Sequence, residues 1–241
     1  MNHFFIDPKN IQESKILFPA DVSHQIVRVL RLKMNATVMV LDNRGLQYEV
    51  RLVELSTQQC IGEIVSRVKI ETEATTKIHL MVALTQREKF EWILQKCCEI
   101  GVDQITPILC ERSIQLSLSD FEKKKNRWER ILKEAAEQSR RGLIPVLNSP
   151  APIQAAIQES APKKIIAWEK EENNRLVDIF SHQKITDITL MIGPEGGFSE
   201  QEVKAAQVCG WIPFSLGRRI LRMETAAIVA CGIILYQSGD I

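Results

Sequence analysis

From Ile78 towards the C-terminus, short apolar runs alternate with helical patterns, and this alternation narrows the fold more than any other feature. The runs Ile78 to Leu84, Ile105 to Leu109, Lys164 to Trp168, Ile188 to Ile192 and Ile212 to Leu216 each read as a buried strand. Strands separated by helices predict a parallel sheet covered on both faces, so residues 75–241 are expected to form one α/β domain. The first 70 residues have a different pattern, with β-rich stretches at Thr37 to Leu41, Tyr48 to Leu55 and Gln59 to Val68. Asp42-Asn43-Arg44-Gly45 joins the first two as a hairpin, because Asn and Gly accept positive φ. A small β-barrel-like domain over residues 1–70 follows, with the polar stretch Ile70 to Lys77 as its linker to the second domain.

Two strand ends in the α/β half run into glycine-bearing loops. The first is Ile192-Gly193-Pro194-Glu195-Gly196-Gly197-Phe198-Ser199, and the second is Leu216-Gly217-Arg218-Arg219-Ile220-Leu221-Arg222-Met223-Glu224-Thr225-Ala226. Glycine at such a place lets the backbone turn sharply and approach a ligand. Ser199 with Glu202 three residues on is a capping-box pattern that fixes where the next helix begins. In open α/β sheets ligands sit beyond the carboxyl ends of strands, and both loops fall there. One such loop alone is better read as an ordinary tight turn; two together point to a site.

These segments carry a resemblance to a known family. Ile192 to Glu202 is similar to I-G-P-E-G-G-[FW]-[ST]-x-x-E, and Leu216 to Ala226 to L-G-x-R-I-L-R-x-E-T-A, the signatures of the RsmE type of SPOUT-class RNA methyltransferases. Glu91 to Val102, Glu111-Arg112-Ser113, Arg127 to Pro145 and His24 to Leu32 resemble further elements of that family, so the likeness spans nearly the whole chain. It implies S-adenosylmethionine as cofactor and methylation of N3 of a uridine in 16S ribosomal RNA. For the fold it implies a PUA-like RNA-binding barrel followed by a SPOUT domain with a C-terminal trefoil knot, against the general rule that chains avoid threading loops. One departure is present. Where the family has a lysine in A-L-x-K-x-x-[KR], this chain reads Ala83-Leu84-Thr85-Gln86-Arg87-Glu88-Lys89, leaving Arg87 or Lys89 to substitute.

The resemblance and the reaction together nominate residues. Backbone groups at Ile192, Gly193, Gly196, Leu216, Gly217, Ile220, Leu221 and Met223 are expected to cradle the cofactor. Uracil N3 becomes nucleophilic only as its proton leaves, while negative charge spreads onto O2 and O4. Arg222 and Arg219 are candidates to stabilise that charge, and Glu224 to accept the proton or orient an arginine. The plain alternative for this loop is a salt-bridged helix entry. For RNA, His24, Arg28 and Arg31 at i, i+4 and i+7 form a basic stripe opposite Ile26, Val29 and Leu30, which is otherwise a solvated helix face. Arg112 and Arg141 are the next candidates, whereas Trp128 has the spacing of a core residue. Thr225 to Tyr236 is apolar nearly all round and needs cover, from a homodimer interface or from the core of a monomer.

Composition settles less. Charge is balanced, at 31 Lys plus Arg against 30 Asp plus Glu, so a nucleic-acid surface must be local. Six cysteines without C-x-x-C spacing suggest neither a zinc site nor a disulfide framework, and no metal is expected. The N-terminus has no basic-then-apolar signal and no run is long enough to span a bilayer, so a cytoplasmic protein is expected. Two other readings stay open: a SPOUT enzyme acting on a ribose 2′-hydroxyl, and a non-catalytic RNA-binding protein. No nucleotide-phosphate motif is present.

Overall fold

The computed structural model describes residues 1–180 and 186–241, and two compact units divide the chain. The first is Met1–Glu73 with Ala136–Ile144, and the second is Ala74–Ala135 with Pro145–Ile241.

In the first unit, β1 (His3–Phe5), β2 (Lys15–Leu17), β3 (Thr37–Leu41), β4 (Leu46–Glu54) and β5 (Ile61–Lys69) form one sheet in the order β1-β3-β4-β5-β2. Only the β1–β3 pair is parallel. On β4, Tyr48, Val50 and Leu52 are buried alternately and meet Phe4, Phe18 and Ile26 in the core, which is what a period of two predicts for a half-covered strand. The β3–β4 turn has Asn43 at φ 56° and Gly45 at φ 98°, and Asp42 Oδ1 accepts from the Arg44 and Leu46 N–H groups.

The expected basic stripe is not a regular helical face. Helix α1 (Ala20–His24) passes into a π turn, Gln25–Val29, closed by the Leu30 N–H to the Gln25 carbonyl. A π turn widens the spiral, so the i, i+4, i+7 register fails, and Arg31 lies beyond it at φ 52°. Val29, placed on the apolar side by periodicity, is 64% exposed. His24, Arg28 and Arg31 are nonetheless all exposed.

Arg141 is a clearer correction. It is buried, and its guanidinium donates to Glu73 Oε2 at 2.7 Å, so it is withdrawn from solvent and from RNA. Glu73 Oε1 also accepts from the Gly142 and Leu143 N–H groups. Burial alone would raise the Glu73 pKa; Arg141 and these N–H donors reverse that and hold it below its ordinary value. This knot of bonds explains why Ala136–Ile144 groups with the first unit, although the linear pattern put it in the second domain. Breaking a buried ion pair costs ~3–5 kcal/mol. Because the two N–H donors remain, Arg141→Ala should cost less, about 2 kcal/mol in chemical denaturation.

The second unit is an α/β layer. Strands β6 (Lys77–Ala83), β7 (Gln104–Leu109), β8 (Val146–Leu147), β10 (Lys164–Ala167), β11 (Asp187–Ile192) and β12 (Ile212–Phe214) run in the order β12-β10-β11-β6-β7-β8, all parallel, and β9 (Ala151–Pro152) pairs with β7. The parallel sheet expected from the alternation is therefore present. Ile188 to Ile192 is buried throughout, as a strand covered on both faces should be. The last strand is shorter than the apolar run suggested, ending at Phe214; beyond it Ser215 bridges to Arg175, and its hydroxyl oxygen accepts from the Gly217 N–H.

Helix α2 (Arg87–Ile100) buries Phe90, Ile93, Leu94, Cys97 and Cys98, an i, i+3, i+4, i+7, i+8 face, and stops at Gly101 with φ 124°. Helix α3 spans Leu118–Gln138. Its Trp128 sits 4.6 Å from Phe90 and 5.9 Å from Phe121, ring centroid to centroid, and is core as its spacing implied. Arg127 clamps Glu91 with two bonds of 2.6 and 2.8 Å. That pairing, with burial opposing it and Arg87 adding to it, lowers the Glu91 pKa from 4.5 to about 2. A depressed carboxylate stabilises the fold above its unfolded pKa and loses this as pH falls through the folded one. The difference in thermal midpoint between wild type and Arg127→Ala should thus shrink from pH 4.5 down to about 2, as calorimetry at stepped pH would show.

After α4 (Ile153–Ala156), α5 (Leu176–Ile179) and α6 (Glu200–Val208), the chain closes with α7 (Met223–Ser238). Met223, Ala227, Ala230, Cys231, Ile234 and Leu235 form its buried face, while Val229 and Tyr236 on the rest are exposed. Just past it, the Asp240 carboxylate accepts from Thr75 and Thr76 and ties the chain end to the start of β6.

Candidate functional site

The site forms at the carboxyl ends of β10, β11 and β12, where three neighbouring parallel strands release their loops on the same edge. The loop after β11 is fixed at both ends. At its far end Ser199 and Glu202 make the reciprocal capping box, with Ser199 N–H donating to Glu202 Oε2 at 2.8 Å. Glu202 Oε1 also accepts from Glu111 N–H at 2.8 Å, which ties the Glu111-Arg112-Ser113 turn to α6. Arg112 Nη1 donates to the Gly196 carbonyl at 2.9 Å. Arg112, a candidate RNA contact, thus braces the glycine loop while staying exposed.

Within the loop, a Cβ on Gly193 would lie 2.9 Å from the Phe198 ring, so the glycine is required by that close approach. Glu195 accepts from the Thr85 hydroxyl and, at 3.0 Å, from Lys89. Burial pushes the Glu195 carboxyl up, but these two donors outweigh it, and its pKa lies below the ordinary value. Of the two residues offered for the family lysine, Lys89 reaches this loop, while Arg87 pairs with Glu91.

The second loop turns at Gly217, whose φ of 110° belongs to glycine, and then leads into α7 with Arg222 as N-cap. Arg218, Arg219 and Arg222 are exposed, and their side chains have no hydrogen bond or ion pair among the described residues. The salt-bridged helix entry is therefore not what forms.

The two loops enclose a cavity of about 410 Å³, within the ~300–1,000 Å³ of small-molecule sites. Ile192, Gly193, Gly196, Leu216, Gly217, Ile220, Leu221 and Met223 all line it, together with Arg219 and Arg222. Glu224 does not. It sits in the first turn of α7, with Oε2 enclosed and unpartnered among the described residues. Sequence reasoning missed Trp168, Glu169, Phe198 and Arg218, which also line the cavity. Trp168 was within reach, since it follows β10 at the same sheet edge. Its Nε1–H is buried with no partner among the described residues, an orphan donor that a bound molecule can satisfy. Main-chain polar groups, an apolar wall and an unpaired donor fit a nucleoside-bearing cofactor.

The comparisons agree with this geometry. Residues 72–235 match the family model of the RNA methyltransferase domain. The chain is also 36% identical over 230 residues to ribosomal RNA small subunit methyltransferase E of Mesomycoplasma hyopneumoniae, covering 95% of this chain and 96% of the relative. The chain belongs to the RNA methyltransferase family, of the small subunit methyltransferase E type. A second methyltransferase E, from Bacillus subtilis, is 28% identical over 249 residues, covering 99% and 97% of the two chains. Among solved structures, the Neisseria gonorrhoeae methyltransferase E bound to S-adenosyl methionine superposes with a TM-score of 0.89 at 29% identity, covering 98% of this chain and 97% of that one. A putative methyltransferase of Legionella pneumophila in complex with the same cofactor gives 0.89 at 28% identity, with the same coverage. In this RNA methyltransferase, then, the matched region includes the parallel sheet, both glycine loops and most of α7.

Among the described residues no cluster of three His, Cys, Asp or Glu could hold a metal, and no helix is long and apolar enough to cross a membrane.

Proposed function

We propose that this RNA methyltransferase transfers a methyl group from S-adenosylmethionine to N3 of a uridine in 16S ribosomal RNA. The observation that carries the reading is the cavity between the two glycine loops, with arginines in its wall that have no side-chain partner among the described residues. Bound there, the cofactor supplies an electrophilic methyl group. Backbone groups of Ile192, Gly193, Gly196, Leu216, Gly217, Ile220, Leu221 and Met223 hold it, and the Trp168 indole N–H gains a partner. Arg222 and Arg219 face the charge that develops on O2 and O4 as the N3 proton leaves. Glu224 follows them in sequence but stands outside the cavity wall; its enclosed Oε2, unpartnered among the described residues, is the group that orients an arginine, or takes the proton relayed from the site, once the substrates are bound. Much of the rate comes from positioning two substrates in line.

The first unit serves as the PUA-like RNA-binding module in this reading, supported by its exposed His24, Arg28 and Arg31. The family's C-terminal trefoil knot belongs to the same proposal, as does a homodimer through α7. Support for the dimer comes from the exposed Val229 and Tyr236 and from Gly232, which has nothing within 4 Å of its Cβ position. The protein acts in the cytoplasm, where its RNA substrate is made. Calorimetric titration with S-adenosylmethionine tests the core of this account. Micromolar-range binding, about −8 kcal/mol, is expected, and a folded protein that binds none would count against an enzyme.

A further inference from the structure

A second concavity begins at the far end of the first glycine loop, at Ser199. It has a volume of about 510 Å³ and shares no wall residue with the cofactor cavity. The two are nevertheless neighbours, because Phe198 lines one and Ser199 the other, and consecutive Cα atoms are ~3.8 Å apart.

Its chemistry is specific. Ile153, Ile157 and Cys110 are buried and form an apolar floor, while Gln115, Gln154 and Gln201 are exposed and form an amide rim. Gln115 Nε2 donates to the Cys110 and Ser113 carbonyls, which leaves its Oε1 as an acceptor. Gln154 and Gln201 have no side-chain partner among the described residues. Both Glu202 oxygens are taken by Glu111 and Ser199 N–H groups, whereas the exposed Glu111 carboxylate has no partner among the described residues. With two glutamates and no Lys or Arg in its wall, the pocket repels phosphate. Burial, with Glu202 nearby, pushes the Cys110 thiol well up, so no thiolate is present for covalent chemistry. What fits is a flat, neutral ring with an edge to read. Free acceptors on Gln115 and Glu111 suit an amino group, as carbonyl and carboxylate oxygens do when proteins read base edges. Sequence recognition of RNA works on unstacked bases in this way.

We propose that this pocket binds an unpaired nucleobase carrying an exocyclic amino group, adenine or cytosine, next to the methylated uridine. The inference rests on the RNA methyltransferase reading above and adds a sequence-selecting subsite to it.

The test uses the full chain with S-adenosylmethionine and single-stranded RNA pentamers that hold a central uridine flanked by adenosine, cytidine, uridine or an abasic site. Fluorescence anisotropy should show adenosine or cytidine flanks binding at least about fivefold tighter than uridine or abasic ones. Ala205→Trp, which fills the pocket, should close that gap while cofactor affinity stays unchanged. Equal affinities in the wild type, or a gap that survives Ala205→Trp, would overturn the proposal. If that variant loses the cofactor through misfolding, Glu111→Ala, which removes an exposed acceptor, replaces it: a narrowed gap supports the subsite and an unchanged one refutes it. Methyl transfer to 16S ribosomal RNA by the same wild-type preparation separates the two levels. Transfer without flank preference removes the subsite alone, and neither transfer nor RNA binding removes the proposed function as well.

Discussion

Arg222→Ala is expected to slow methyl transfer by about 10³-fold, the upper range for loss of one preorganised donor aimed at developing charge. Arg222 lines the cavity, caps α7, is exposed and has no side-chain partner among the described residues, so its guanidinium is free for the substrate. Its backbone sits in the loop whatever the side chain, and the variant should bind S-adenosylmethionine about as well as the wild type. Arg222→Lys keeps the charge but not the planar fork and should recover only part of the rate. Single-turnover transfer to 16S ribosomal RNA reads the rate apart from product release. A rate within a few-fold of wild type would move the charge-stabilising role to Arg219 or Arg218.

Gly193→Val has the second largest effect. Its Cβ would stand 2.9 Å from Phe198 Cδ2 and 3.0 Å from Cε2, and Phe198 is only 2% exposed, so the ring has nowhere to go. The loop must shift instead. Cofactor affinity should fall by about ten- to a hundredfold, the loss expected if ~1–3 kcal/mol of overpacking strain falls on the cofactor-bound loop. Overpacking of this kind costs ~1–3 kcal/mol of stability, which a typical domain survives, and a denaturation curve alongside the titration separates the two effects. Gly193→Ala should show the same change more weakly. Unaltered affinity in Gly193→Val would mean that the loop backbone does not hold the cofactor.

What the sequence made legible was local. Ser199 and Glu202 announced the start of α6, and Asn43 and Gly45 the β3–β4 turn, because capping and positive φ are written into a few adjacent residues. The alternation of apolar runs with helical patterns disclosed the parallel sheet for the same reason. Misreadings came where a distant partner decides. Arg141 looked like a surface arginine until Glu73, 68 residues earlier, was found against it. The π turn at Gln25–Val29 breaks a register that periodicity assumes throughout. Trp168 carried only its place after the β10 run as a signal, and its N–H without a partner among the described residues emerges only once β10, β11 and β12 lie side by side. Glu224 shows the limit from the other side: it sits next to the arginines in sequence, yet the turn into α7 leaves it out of the cavity wall.

The most direct measurement is nucleoside mass analysis of 16S ribosomal RNA after incubation with the protein and S-adenosylmethionine carrying a heavy-isotope methyl group. One labelled methyluridine is expected, whose fragmentation places the methyl on the base, co-eluting with an N3-methyluridine standard and strongly reduced with Arg222→Ala. A label on the ribose, or no label from a protein that binds the cofactor, would contradict the proposed function.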